Sequence, residues 1–405
     1  MRWILGQENS EALIMWLFGP AGSGKSAIAQ TLAERCYASG ISLASFFFSR
    51  SDPSRNHFRS LFATIAYQVV VNFPDSRDIV TRIPEQDPLV LTQSFEIQLT
   101  SLIIGPLQQL YLAGRPPASS DPYLIVIDGL DECADPQVQV GILRSIAKAV
   151  KQCRFPLKFL FASRPELHLT TEFNSRTINP ILSRLALDDK FLPDKDIRRF
   201  LQDECDEIRR THPLKRFLSP TWPSTDVIEL LVAKSSGQFI YVSTVVKFIT
   251  STRRHPDDSL NVILASHPSS GHISPFVELD TLYANVLSSV ADLNKTLTIL
   301  GFLIVCENLY LTMPAYLEDF LMLRAGEAEL FVGELASVAT IRKQVGSEFV
   351  TLLHASLGDF ILEQSRSKQF ALNPTIIHAY LAHLCFQSIK RYQSRGDSRK
   401  WTSTD

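Results

Sequence analysis

The stretch that most restricts the fold is WLFGPAGSGKSAIAQTLAERC, residues 16–36. The apolar run ALIMWLF at 12–18 stops at Gly-Pro, turns through GPAGSGKS and enters a helical pattern. A run this short and this apolar suits a strand buried on both faces of a parallel sheet. The following helix is expected over 27–39, with Ile28, Leu32 and Cys36 recurring on one face, Ala29 and Ala33 beside them, and Gly40 at a left-handed cap. The turn fits G-x-x-x-x-G-K-[ST] at Gly19, Gly24, Lys25 and Ser26. Such a turn aims successive backbone N–H groups at phosphate oxygens, and the helix adds the positive end of its dipole. The expected nucleotide contacts are therefore Gly19, Pro20, Ala21, Gly22, Ser23, Gly24, Lys25, Ser26 and Ala27, with Lys25 on the β- and γ-phosphates and Ser26 on Mg²⁺.

A strand is expected in ISLASFFF at 41–48, then an amphipathic helix over 57–73 with Phe58, Leu61, Phe62, Ile65 and Val69 inward. After the loop GRPPASSDP, YLIVIDGLDEC is a further apolar strand that ends in acids, and PLKFLFASRPE at 156–166 is another that ends at Ser-Arg-Pro. Strands alternate with helices to about residue 190, which implies βαβ units and a parallel sheet with its chemistry at the carboxyl ends of the strands. Asp128 closes a strand where an acid can hold hydrated Mg²⁺. Asp131 and Glu132 follow as candidates to polarise a water, Asp131 being favoured, and Arg164 can sense a γ-phosphate. Beyond 190 the period is helical, SHPSSGHISP at 266–275 reads as a hinge, and FVTLLHASLGDFILEQ reads as a strand running into a helix. The last forty residues read as helical and then polar.

The bulk properties narrow the partners. With 405 residues, 45% of them hydrophobic, the chain is long enough for several domains with cores of their own. A net charge of −2 gives no general attraction to nucleic acid, and the arginine pairs at 198–199, 209–210 and 253–254 read as solvated helix faces. Six scattered cysteines without CxxC spacing imply neither zinc nor disulfides and fit a reducing, cytoplasmic compartment. The start, MRWILGQENS, lacks the apolar core of a signal peptide, and LTILGFLIVC is about half of the roughly 20 residues a membrane span needs.

Taken together, WLFGPAGSGKSAIAQTLAE, SFFFSRSDPSRN, LIVIDGLDEC, FLFASRPE, LPDKDIRRFL, KSSGQFIYVSTVVKFI, LDTLYANVL and LLHASLGDFIL resemble, in order, the segments of NACHT-domain NTPases of the STAND class, especially the fungal NLR-like ones. The resemblance implies an α/β parallel-sheet P-loop NTPase domain over 1–190, a helical domain over 191–265, a winged helix over 276–365 and a helical segment over 366–405. It also implies that the Arg164 strand lies between the phosphate-loop and Asp128 strands, and that His354 touches the β-phosphate of ADP. Phe239 stands where related switch ATPases place a proline on the adenine. Family members usually add an N-terminal effector and C-terminal repeats, and neither is expected within these residues.

The function so implied is an ATP- or ADP-operated switch that needs Mg²⁺, hydrolyses slowly and associates with itself or with protein partners. A scaffold that binds nucleotide without hydrolysing it is the alternative, and a phosphotransferase is a weaker one. A kinase would want an arginine-rich lid, which the sequence lacks, and the NKTL at 294–297 lacks the aspartate that reads guanine.

Overall fold

The computed structural model describes residues 2–7, 11–50, 52, 54–114, 122–187, 193–250, 255–265, 276–306, 309–344 and 346–394. The expected hinge at 266–275, most of the loop GRPPASSDP and the arginine pair at 253–254 lie outside the described residues. The chain forms two compact units, one of 1–193 with 237–239 and one of 194–236 with 240–405.

The first unit is built on a five-stranded sheet in the order β2-β3-β4-β1-β5, and every neighbouring pair is parallel. Its strands are β1 (Ile14–Phe18), β2 (Ser42–Phe47), β3 (Tyr123–Asp128), β4 (Leu157–Ser163) and β5 (Leu182–Ala186). The strand that leads to Arg164 thus sits between the phosphate-loop strand and the Asp128 strand. Parallel strands need crossovers, supplied here by α1 (Lys25–Ala38), α2 (Leu61–Asn72), α3 (Arg77–Gln86), α4 (Phe95–Leu99), α5 (Gly105–Leu112), α6 (Pro136–Gln152) and α7 (Leu167–Phe173). Period-two alternation divides the strand side chains between the faces. Ile14, Trp16, Ile125, Ile127, Phe159 and Phe161 enter the larger core, with α2, α5, α6 and α7 over them. Leu17, Leu124, Val126, Leu160 and Ala162 enter the other, under α1 and the N-terminal Trp3 and Ile4.

The buried face of α1 is the row of small residues beside Ile28 and Leu32. Ile28 is 41% exposed, while Ala29, Ala33 and Cys36 are buried and Leu32 packs at the margin. Small side chains let the helix approach β3 and β4 closely, so the bulkier Ile28 is left at the rim. The face of α2 is as expected, with Leu61, Phe62, Ile65 and Val69 buried and Phe58 packed against them. Lys158, 3% exposed within β4, donates from Nζ to the Trp3 carbonyl at 2.6 Å and lies 5.0 Å from the Trp3 ring centre. That pairing satisfies a buried ammonium group and fastens the N-terminal turn to the sheet.

Packing between α4 and α6 depends on Gly141, because a Cβ there would lie 2.6 Å from Cε2 of Phe95. Phe95 is edge-on to Phe58 at 4.7 Å, which limits its escape. Gly141→Ala is therefore expected to destabilise the fold by about 1–3 kcal/mol, read as a lower midpoint in urea.

The second unit is mainly helical. It contains α8 (Pro193–Thr211), which starts at the boundary, α9 (Thr225–Ser235), α10 (Phe239–Ile249), α11 (Pro256–Ala265), α12 (Val277–Ser288), α13 (Leu293–Val305), α14 (Pro314–Leu321) and α15 (Glu327–Glu334). A hairpin of β6 (Ala339–Gln344) and β7 (Ser347–Leu352) follows, then α16 (Ala355–Leu362), α17 (Gln364–Ser367) and α18 (Pro374–Ser394). Arg198 clasps Glu229 with two bonds, and Arg199, Arg209 and Arg210 each pair with an acid of α8. Inside, Arg366 grips Asp280 through two bonds and the Tyr283 hydroxyl meets Ser356 Oγ at 2.9 Å, so α12 is held to α16 and α17. No disulfide forms among the described residues, and no helix among them is long and apolar enough to cross a membrane.

Candidate functional site

The loop between β1 and α1 is shaped by its glycines. Gly22 and Gly24 adopt φ of 74° and 87°, in the left-handed region that side chains disfavour. Gly19 is constrained by space instead, since a Cβ there would meet Leu187 Cβ at 3.1 Å and Ser23 Oγ at 2.9 Å. Beneath the loop, Trp16 stacks between Phe18 and Phe173 at 4.2 Å each and donates from Nε1 to Ser163 Oγ at 2.9 Å, which locks β1 to the end of β4.

The N-terminus of α1 has no capping side chain and no acid in its first turn. Ser94, Asp135 and Asp292 cap α4, α6 and α13, whereas α2, α5, α7 and α9 lack a capping side chain as α1 does. In α1 the uncapped first turn directly follows the glycine loop, an arrangement that can bind phosphate. Lys25 spans the loop mouth, donating from Nζ to the carbonyls of Gly19 at 2.9 Å and Pro20 at 2.7 Å. Burial lowers its pKa, opposed by the nearby carboxylates of Asp131, Asp128 and Glu132. Ser26 and Ala27 are exposed at the start of the helix.

Asp128 ends β3 at 3% exposure, with Oδ1 buried and without a hydrogen-bond partner. Burial pushes its carboxyl pKa up to about 6, although the Ser26 side chain bonds to it and Lys25 is close. A buried carboxylate oxygen without a donor, beside a hydroxyl, fits one side of a hydrated Mg²⁺. Among the described residues no three His, Cys, Asp or Glu cluster as ligands. Ser26 and Asp128 would therefore hold Mg²⁺ together with water and phosphate oxygens, and the ion would supply charge neutralisation at the phosphates.

Gly129, at φ 68°, turns the chain away from Asp128, and a Cβ there would lie 3.1 Å from the Phe48 carbonyl. Next come Leu130–Glu132 as a single 3₁₀ turn. Asp131 is buried and its two oxygens are both engaged by Arg164, Oδ1 accepting the backbone N–H at 3.0 Å and Oδ2 facing the guanidinium Nε at 3.3 Å. Glu132 accepts the backbone N–H of Arg50 at 3.0 Å, and burial raises its pKa. This carboxylate therefore ties the loop after β2 to the acidic turn. Asp128, Asp131, Arg164 and Lys25 are brought together at one end of the sheet, as their positions after β1, β3 and β4 require.

Phe239 is counted with the first unit, and its Cδ2 would lie 3.8 Å from a Cβ on Gly24. His354 lies in the second unit between β7 and α16, with Nε2 buried and unpartnered. Its pKa falls to about 4, first through burial and then through Lys247 and Arg342.

The sequence did not single out Gln139 or His168, which contact the acidic turn and the segment after Arg164. A buried amide on a helix gives no pattern in one sequence. Its signal was only a polar residue on the inner face of α6, where Ile142, Leu143 and Ile146 are apolar.

Residues 1–164 match the family described as Nephrocystin 3, N-terminal. Comparison with curated proteins gives no match. Among solved structures, the chain is similar to the ORC1 protein of Aeropyrum pernix in complex with DNA, at 14% identity over 88% of this chain and 87% of that one, with a TM-score of 0.36. It is likewise similar to Drosophila ORC bound to DNA, at 12% identity over 92% and 94%, TM-score 0.37. Cdc6p from Pyrobaculum aerophilum gives 12% identity over 94% and 92%, TM-score 0.38. With a glycine turn between β1 and α1, an acid at the end of β3 and β4 inserted between the two, the first unit has the P-loop NTPase fold.

Proposed function

We propose that the chain is a NACHT-type signalling ATPase, NLR-like and cytoplasmic, that works as a nucleotide-dependent conformational and oligomerisation switch with slow Mg²⁺-dependent hydrolysis. The observation that carries this reading is the uncapped N-terminus of α1 beneath the Gly19–Ser26 turn, facing a buried Asp128 oxygen that has no donor. In this reading the amides of residues 19–27 and the Lys25 ammonium hold the phosphates, while Ser26 and Asp128 hold Mg²⁺. Phe239 is the candidate to face the base. Asp131 and Glu132 supply the acidic turn, with Asp131 the favoured water-orienting group. Arg164 reports the γ-phosphate, because a phosphate oxygen competes with Asp131 for the same guanidinium.

The remaining parts follow the family scheme, with a helical domain over 191–265, a winged helix over 276–365 and a helical segment over 366–405. A hairpin preceded by α13, α14 and α15 is compatible with the winged helix. His354 is the proposed contact to the β-phosphate of ADP, as the family scheme implies. Partners are other copies of the chain or other proteins.

A switch requires that ADP and ATP favour different states, since equal binding shifts nothing. Small-angle scattering of the full chain with ADP and with a slowly hydrolysed ATP analogue is expected to give different radii of gyration. Superimposable profiles at saturating nucleotide would count against the switch.

A further inference from the structure

We infer that Gln139 and His168 form a positioning relay that fixes the Asp131–Arg164 pair for hydrolysis, an inference that rests on the proposed ATPase reading. Gln139 projects from α6 and is 3% exposed. Its Nε2 donates to the Cys133 carbonyl at 2.7 Å and reaches the Asp131 carbonyl at 3.5 Å. Its Oε1 lies 2.7 Å from Nε2 of His168, in the first turn of α7. These contacts bracket the reactive pair from both sides, because Asp131 and Cys133 belong to the acidic turn and His168 follows Arg164 by four residues.

The chemistry fixes the direction of the relay. A carbonyl such as that of Cys133 can only accept, so the amide nitrogen of Gln139 must face it. Oε1 then faces the imidazole and can only accept, so His168 carries a hydrogen on Nε2. The alternative amide orientation would set two acceptors against each other at Cys133, which a buried site does not tolerate. One side chain therefore reads the position of the acidic turn and of the Arg164 segment at once.

Other bonds also join α6 to α7 and to the segment after it. Arg144 of α6 pairs with Glu172 of α7 at 2.7 Å, and Lys151 near the end of α6 donates to the Thr177 carbonyl. With Gln139–His168 these links run along the length of α6, so α6 and α7 behave as one frame. Asp131 and Arg164 hang from opposite sides of that frame, joined by bonds of 3.0 and 3.3 Å. Neither Gln139 nor His168 reaches the phosphate loop through any of these bonds. Their loss should displace the pair that acts on the γ-phosphate and spare the grip on the nucleotide.

The test compares Gln139→Leu, His168→Leu and His168→Gln with the full wild-type chain for MgATP affinity and kcat. Gln139→Leu and His168→Leu are expected to lower kcat by about tenfold or more with affinity within about twofold, since small misplacements at a reacting centre act mainly on rate. His168→Gln restores a donor at the same reach and should keep most of the rate. In an Asp131→Asn background, Gln139→Leu should have little further effect. Unchanged kcat, a parallel loss of affinity, or equal damage from His168→Leu and His168→Gln would overturn the relay. If Gln139→Leu fails to fold, the two His168 variants decide. If the wild type turns over no MgATP at all, the hydrolase reading fails by itself. Hydrogen exchange at the Arg164 amide then decides the relay: faster exchange in Gln139→Leu but not in His168→Gln supports it, and an unchanged rate overturns it.

Discussion

Replacing Lys25 with alanine is expected to weaken MgATP and ADP binding by about 100-fold or more while leaving the fold intact. The ammonium group is held by the Gly19 and Pro20 carbonyls at 2.9 and 2.7 Å. Pro20 is exposed, so water can replace the lysine at its carbonyl, and only the bond to the buried Gly19 is lost without that replacement. Binding has no such substitute, because a charge-assisted bond to phosphate contributes about 1.5–3 kcal/mol and Lys25 can make more than one. Isothermal calorimetry on Lys25→Ala, with circular dichroism to verify folding, checks this. Lys25→Arg should not restore full affinity, since a planar fork cannot occupy the space of a compact ammonium between the two carbonyls.

Asp128→Asn is expected to act in opposite directions on stability and on turnover. The Asp128 carboxyl has its pKa raised from 3.8 to about 6 by burial, so the folded chain binds that proton more tightly than the unfolded chain does. Its contribution to stability is thus fully present below pH 3.8 and is lost as pH rises through about 6. At pH 7.5 in metal-free buffer the buried carboxylate costs about 2–3 kcal/mol, which asparagine removes. The variant should therefore melt several degrees higher than wild type at pH 7.5, with the difference shrinking towards pH 5. Addition of MgATP should stabilise the wild type and barely stabilise the variant, and Mg²⁺-dependent hydrolysis should vanish with it. A variant less stable than wild type at pH 7.5 would show that Asp128 is satisfied within the protein and is not kept for a cation.

Much of this site is legible in sequence because its pieces are local. Gly19, Gly24, Lys25 and Ser26 lie within one turn, and their backbone requirements follow from residue type alone. Asp128 and Arg164 are legible at strand ends because an apolar run that stops at a charged residue marks the carboxyl end of a buried parallel strand. What one sequence does not carry is the pairing between strands. The Asp131–Arg164 bond exists because β4 lies beside β3, and Glu132 is drawn to Arg50 because β2 lies on the other side of β3. The residue types offer both acids as candidates to polarise a water, and the bonds of Asp131 to Arg164 and of Glu132 to Arg50 are visible only in the structure.

Other elements are not legible in sequence for similar reasons. LSRLA, which becomes β5, is short and half-exposed at the sheet edge, so it lacks the apolar run that marked β1, β3 and β4. The strand β6, ATIRKQ, is polar because it belongs to a two-stranded hairpin, and its partner β7 was found only through its apolar FVTLL. In α1 a period of four fits both the 28-32-36 and the 29-33 rows. The choice between them was made by the closeness of the sheet, which hydropathy does not encode.

The central claim is that the Gly19–Ser26 turn and the uncapped start of α1 hold the phosphates of a purine nucleotide. Isothermal titration of the folded full chain with ADP and with a slowly hydrolysed ATP analogue, each with Mg²⁺, tests it directly. Saturable heat at one nucleotide per chain, lost in Lys25→Ala, is the expected result. No heat from either nucleotide with the well-folded, nucleotide-free chain would contradict the account.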